Sequence, residues 1–242
     1  MPTFGLYMEI LGELGVPLTG ATKILDWGCG AGALVAEGRA EGYDVVGCDF
    51  DVPDGTPYLL AIDASAYRLP YPDHAFDIII SASVLEHVMD YTTSLKELQR
   101  VLRPGGRFLH MFPSRGAPIE PHVFVPGATV LRSRSWLLLW AALGVRNSFQ
   151  RGLSAAAVAR INYQWLHAHT NYLSRSEIVS RLSAYFADVR FVESIMLRHS
   201  PNVRGRRVSR ISRALPFLST LYSTFRNRVV FGRAKTSPDS TQ

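Results

Sequence analysis

Apolar positions along this 242-residue chain change period repeatedly, and the changes mark out its elements. Leu6, Tyr7, Ile10, Leu11 and Leu14 share one helical face over Phe4 to Leu14, and Gly15-Val16-Pro17 ends that helix. Ile24-Leu25-Asp26-Trp27 then reads as a strand running into the turn Gly28-Cys29-Gly30-Ala31-Gly32, and Ala33-Leu34-Val35-Ala36 resumes helical spacing. Tyr43 to Asp49 predicts a second strand, Tyr58 to Ile62 a third and Phe76 to Ser81 a fourth, the last apolar enough to be buried on both faces. Tyr91 to Leu102 places Leu95, Leu98, Val101 and Leu102 on one side of a helix, which Arg103-Pro104-Gly105-Gly106 stops before a fifth strand, Arg107 to Phe112. Strands alternating with helices through short turns predict a doubly wound α/β sheet. In such sheets ligands bind beyond the C-terminal strand ends, where Asp26, Asp49, Asp63 and Ser81 all fall.

Residues 113–170 break this rhythm. Pro113, Pro118, Pro121 and Pro126 predict a loop, followed by helices over Trp136 to Leu143 and Leu153 to Leu166. Arriving after the fifth strand, this helical insertion is expected to overhang the ligand crevice as a lid or acceptor-binding cap, with a plain core-covering subdomain as the alternative. Ser174-Arg175-Ser176-Glu177 is a capping box, with Leu173 and Ile178 spaced as a hydrophobic staple. Beyond its helix, Asp188 to Met196 alternates as a sixth strand, Asn202 to Arg213 reads as an arginine-rich loop, and Pro216 opens a last helix. Arg228 to Gly232 suits a seventh strand, and Thr236 to Gln242 a disordered polar tail. The chain is thus expected to be one domain over residues 1–242, with the cap at 113–170 and an arginine-rich section at 198–235.

Charge sharpens that division. From Arg198 onward ten basic residues face the single acid Asp239, a surplus of nine; with a total of +6, the preceding part is therefore at −3. A basic section on a mildly acidic domain points to an anionic membrane surface, an anionic substrate or RNA. Cys29 and Cys48 are the only cysteines and form no paired motif, so a disulfide framework or zinc site is not expected and a cytoplasmic setting is. Met1-Pro2-Thr3-Phe4-Gly5 lacks the pattern of a secretory signal, and the most apolar run, Trp136 to Val145, is about half of what a spanning helix needs. Peripheral membrane attachment stays open.

The glycine turn carries the chemistry. Glycines let the backbone approach a ligand, and the free amides opening the next helix favour polar or anionic groups. Gly28 to Ala33 also satisfies the dinucleotide pattern, with Asp49 downstream for a ribose. Asp26 and Asp63 tip the balance, because carboxylates repel a pyrophosphate and welcome a cationic nucleoside bearing an amino group. A nicotinamide-dependent oxidoreductase is the reading this disfavours.

Ile24 to Gly32, Val46-Gly47-Cys48-Asp49, Asp63 ahead of Leu69 to Asp77, Ser83-Val84-Leu85-Glu86-His87-Val88 and Leu102 to Gly106 together resemble the class I S-adenosylmethionine-dependent methyltransferases, in particular the small-molecule type called methyltransferase domain 11. The resemblance runs from about residue 22 to 112, with weaker agreement over 173 to 195. It implies a Rossmann-like seven-stranded sheet with an antiparallel last strand and S-adenosyl-L-methionine as cofactor. Carried over by position, it implies that Gly28, Gly30 and Gly32 line the methionine and ribose end and that Asp26 organises the loop and the amino group. Asp49 would take the ribose hydroxyls, Phe50 would border the adenine, Asp63 and the Ala64 amide would contact it, and the Ser81 backbone would lie near the methionine.

Methyl transfer from a sulfonium is an in-line displacement that mostly needs alignment. A hydroxyl acceptor also needs a base. His122, with Glu120 to orient it, is placed just beyond the fifth strand; His87 follows the fourth, His167, His169 and Tyr172 lie at the return from the insertion, and His110 is expected to be a core histidine. No metal-ligating acid cluster is legible, so a metal-free transfer to a small-molecule, glycan or lipid-linked hydroxyl is expected. Trp136, Trp140, Phe149, Tyr163 and Trp165 would give the cap an aromatic lining. RNA methylation, or cofactor binding without turnover, are the alternatives.

Overall fold

A computed structural model describes residues 2–236; most of the tail expected at Thr236 to Gln242 therefore lies outside the described residues. Seven strands form one sheet: β1 Lys23–Trp27, β2 Asp44–Asp49, β3 Leu59–Ala61, β4 Phe76–Ala82, β5 Leu102–Pro113, β6 Phe186–Phe191 and β7 Asn227–Ala234. Their order is β3-β2-β1-β4-β5-β7-β6, parallel except for β7, which runs antiparallel to both neighbours. The reversal of direction between β1–β2 and β1–β4 puts the switch point at the end of β1, beside the glycine turn.

Alternation along the strands divides the core between two faces. Leu25, Trp27 and Ile79 pack with Leu95 and Leu98 of α3 (Tyr91–Val101) and Ile178 and Leu182 of α6 (Arg175–Tyr185). Ile24, Ile78 and Ile80 face the other way, against Phe4, Tyr7, Ile10 and Leu11 of α1 (Phe4–Glu13) and Leu34 and Val35 of α2 (Ala33–Ala40). Asp90 caps α3 through Thr93 N, and both halves of the Ser174–Glu177 capping box form at α6. The insertion builds a separate core: α4 (Arg134–Ala142) and α5 (Ala155–His169) clasp Val123, Val125 and Ala128 with Leu137, Ala159 and Leu166.

Two expectations near the C-terminus need correction. The strand expected over Asp188 to Met196 ends at Phe191, and Glu193–Arg198 is a helix, α7. Buried Glu193 takes Arg228 at 2.8 Å and Arg175 at 3.3 Å, and these ion pairs turn the chain away from the sheet. The arginine-rich loop is also a helix, α8 (Val203–Ile211), because Asn202 caps it through Arg204 N and arginine is a good helix former. The last helix, α9 (Phe217–Thr224), follows Pro216 as expected.

Candidate active site

At the C-terminal ends of β1, β2 and β4 lies a cavity of about 490 Å³. Trp27 and Gly28 form its floor, Asp49, Phe50, Ile62 and Tyr67 one side, and Ser83, Val84, His87 and the start of α3 the other. Gly28 has φ +74°, and a Cβ there would meet Val84 Cγ2 at 2.3 Å, so only glycine lets the chain pass under the cavity. Ser83 (φ 58°) and Tyr67 (φ 45°) also adopt left-handed backbone, which non-glycine residues hold only where surrounding structure imposes it.

Asp49 stands at the rim with Oδ2 accepting from Gly30 N (2.8 Å) and Oδ1 from Phe50 N (2.7 Å). Phe50 is half exposed, with its ring 5.6 Å from that of Tyr67 across the same wall. Asp26 lies below the glycine turn, 2% exposed, and its Oδ1 has no hydrogen-bond partner among the described residues. Burial, reinforced by the charge of Asp49, pushes its carboxyl up to about 7. Burial likewise lifts the Cys29 thiol to about 12 and the Cys48 thiol further, so both free thiols stay protonated.

Several expected positions turn out to do other work. Gly32 caps α2 in left-handed conformation, and a Cβ there would meet Leu59 at 2.7 Å, so it serves the packing of β3. Asp63 and Ala64 are exposed and absent from the cavity wall. The Asp63 carboxylate instead accepts from Ser65 N and Oγ and Ala66 N, closing a turn, and Tyr67 occupies the wall. The Ser81 carbonyl is buried and accepts from Tyr7 OH at 2.7 Å, and Ser83, two residues on, is the one that lines the cavity at this strand end.

Beside the cavity the insertion brings the expected base together with its partners. Glu120 is fully buried; burial would raise it, but His122, Val123 N and Tyr172 OH hold it below the ordinary carboxylate range. His122 Nδ1 lies 2.6 Å and Tyr172 OH 2.7 Å from its Oε1. An ionised carboxylate only accepts, so Nδ1 of His122 carries a proton, and in the neutral ring the lone pair is on Nε2. His87 Nδ1 lies 2.7 Å from the His169 carbonyl, which fixes the same tautomer there, and burial lowers its basicity. The His87 and His122 rings are 4.8 Å apart, with Trp165 4.8 Å from His122; His122 thus reaches the cavity through His87 and is not itself part of the wall.

The segment that returns from the insertion is stitched to the turn after β4. Asn171 donates from N to the Glu86 carbonyl and from Nδ2 to the Val88 carbonyl. Glu86, 2% exposed, is the residue sequence reading passed over, although it stood within a quoted motif: both carboxylate oxygens lack partners, and burial together with Glu120 pushes it up to about 8. His167 and His169 instead bond carbonyls one turn back in α5. His110 is a core residue as expected, stacked on Phe108 and bonded to Ser81 Oγ, and burial drops it to about 3.

Fold and cavity together define a Rossmann-like protein with an open cavity at the glycine turn after β1. Residues 25–110 match the family model described as a methyltransferase domain, and this match supports a class I S-adenosylmethionine-dependent methyltransferase fold in that stretch. Over 104 residues the chain is 39% identical to a demethylmenaquinone methyltransferase of Thermus thermophilus, and over 93 residues 37% identical to one of Beutenbergia cavernae. Each match covers 36% of this chain, and 45% and 39% of the respective relatives, so the chain matches less than half the length of these curated proteins. Among solved structures, the phosphoethanolamine N-methyltransferase 2 of Haemonchus contortus in complex with S-adenosyl-L-methionine aligns at TM-score 0.53 and 16% identity, over 96% of this chain and 53% of that one. A methyltransferase of Archaeoglobus fulgidus aligns at 0.51 and 15%, over 95% and 94%. These likenesses show the fold.

The residues present fit S-adenosylmethionine. The orphaned Asp26 oxygen suits an ammonium, Asp49 retains lone pairs for ribose hydroxyls, and Gly28 opens the backbone between them.

Proposed function

We propose that the protein transfers a methyl group from S-adenosylmethionine to a hydroxyl of a small-molecule, glycan or lipid-linked acceptor. The observation that carries this reading is the Tyr172–Glu120–His122 chain, which turns Nδ1 of His122 to Glu120 and sets its ring 4.8 Å from that of His87 in the cavity wall. The cofactor supplies a methyl group on a positively charged sulfur, already an activated donor. The protein's own part is to align the acceptor, whose hydroxyl extends past His87 to give its proton to His122 Nε2, while Glu120 stabilises the imidazolium that forms. His87 is the positioning residue between His122 and the cavity. The insertion carries His122 and Trp165, with Tyr172 just beyond its end, and it acts as the cap over the acceptor side.

The relatives' name specifies a demethylmenaquinone, and an apolar aromatic molecule of that kind, which carries hydroxyls in its reduced quinol form, suits the largely apolar cavity; another relative is named as a C-methyltransferase, which makes a ring carbon the competing acceptor atom. Incubation of the protein with the cofactor and a panel of phenols, quinols and glycolipids should yield S-adenosylhomocysteine and a product one methylene heavier. If fragmentation places the new methyl on carbon or nitrogen for every active acceptor, the hydroxyl reading is wrong.

A lipid-linked acceptor also accounts for the surface. Phe217, Leu221 and Phe225 of the α9 region and Val203 and Ile211 at the ends of α8 are about half exposed, among Arg204, Arg206, Arg207, Arg210 and Arg213. On the cap, Phe149 is 93% exposed. No helix among the described residues is long and apolar enough to cross a membrane, so attachment would be interfacial. Sedimentation with vesicles should show binding to anionic lipid that weakens with salt and falls when Arg206, Arg207 and Arg210 become glutamine; equal binding to neutral vesicles would refute it.

A further inference from the structure

We propose that Glu86, His87 and His122 form a binding site for a divalent transition-metal ion of the Zn²⁺ type. One carboxylate oxygen of Glu86 and one ring nitrogen of each histidine lie within 4.8 Å of one another. Tetrahedral coordination with bonds of about 2.1 Å sets ligand atoms about 3.4 Å apart, so an ion draws the three side chains together by roughly an ångström. Two imidazoles and one carboxylate are the donors that favour Zn²⁺, Co²⁺ or Fe²⁺ over Mg²⁺, which takes an oxygen shell.

The shell around these three residues is what separates the cluster from a chance grouping. A metal-bound histidine characteristically donates its other ring N–H to a carboxylate or a backbone carbonyl. Here His122 has Glu120 at 2.6 Å and His87 has the His169 carbonyl at 2.7 Å, so both Nε2 atoms are lone-pair donors held in fixed orientation. Glu86 supplies the independent sign of a ligand: both its oxygens are buried without a hydrogen-bond partner, a costly arrangement that a cation would relieve. The other clustered histidine, His199, lies between Glu9 and Glu13 with both of its ring nitrogens on carboxylates, and no second imidazole joins it among the described residues.

A bound ion takes the Nε2 lone pair of His122 that proton acceptance requires. The metal-loaded protein is therefore the resting form for hydroxyl methylation, a consequence that rests on the function proposed above, whereas the binding itself does not.

The test uses the untagged, chelator-treated full chain titrated with Co²⁺. One equivalent should produce the visible absorption of a four- or five-coordinate N/O site, displaced by Zn²⁺ and not by Mg²⁺. Glu86→Gln should abolish it, Glu120→Gln should weaken it about 10–100-fold, and His199→Ala should leave it intact. In the unaltered protein the Co²⁺ form should also show two paramagnetically shifted, exchangeable imidazole N–H protons, a readout that depends on no variant folding. Absence of stoichiometric Co²⁺ binding, or binding that persists unchanged in a folded Glu86→Gln protein, overturns the proposal. Co²⁺ binding as described in a protein with no methyl transfer to any hydroxyl would refute the function and leave the site standing.

Discussion

Replacing His122 with glutamine lowers the rate of hydroxyl methylation by about 10²–10⁴-fold while the cofactor still binds, the range expected for loss of a positioned base. Affinity is expected to be spared because Gly28 and Asp49 line the cavity, whereas His122 lies outside its wall. Glu120→Gln should fall in the same direction by a smaller factor, since it removes the group that orients the imidazole and stabilises its charged form while keeping its volume. Single-turnover rates, with cofactor affinity measured separately by calorimetry, divide the two effects. A His122→Gln protein that methylates within a few-fold of the unaltered rate would remove the base from the mechanism and leave alignment alone.

Asp26→Asn should stabilise the free protein at pH 8 and weaken cofactor binding. The Asp26 carboxyl is raised to about 7 in the folded chain, against about 3.9 when unfolded. Between those values the folded state binds the extra proton, so its contribution is fully present at pH 4 and is lost as pH rises through 7. A shift of roughly 3 units corresponds to about 4 kcal/mol; a buried asparagine amide returns part of that, leaving a net gain of about 1–3 kcal/mol above pH 7. At about 2–4 °C per kcal/mol for a chain of this size, melting curves resolve it, and the difference should vanish toward pH 4. Affinity for the cofactor should rise with pH between 5 and 7 in the unaltered protein, as the carboxylate becomes available to an ammonium, and stay flat in Asp26→Asn. An identical pH dependence in both proteins would show that Asp26 does not face the cofactor.

Local pattern carried much of the fold. Ile24/Leu25 and Ile78/Ile79 alternate faces of a buried strand, Asp90 and Ser174 cap where their side chains suit, and Gly28 marks a close backbone passage. Misreadings arose where the same residues suit two periods. Ile195 and Met196 satisfy either strand or helix, and the choice fell to the ion pairs of Glu193 with Arg175 and Arg228, 18 and 35 residues away. Gly205 helped α8 form close against Ser200, where a Cβ would sit 2.7 Å from its Oγ.

For the site, the sequence by itself pointed to the glycine turn: Asp26 at the end of a strand and Gly28 just after it are contiguous features set by local geometry, while Asp49 joins them through the parallel pairing of β1 with β2. The chemistry opposite could only be decided by the tertiary structure. Glu86, His87, Glu120, His122, Trp165 and Tyr172 span 87 positions of the chain, and they meet because Asn171 and His169 tie the end of the insertion to the turn after β4. Which carboxylate lies buried without a partner, and which imidazole nitrogen is left with its lone pair, depends on those long-range hydrogen bonds and on exclusion of water, neither of which has a signature in residue order.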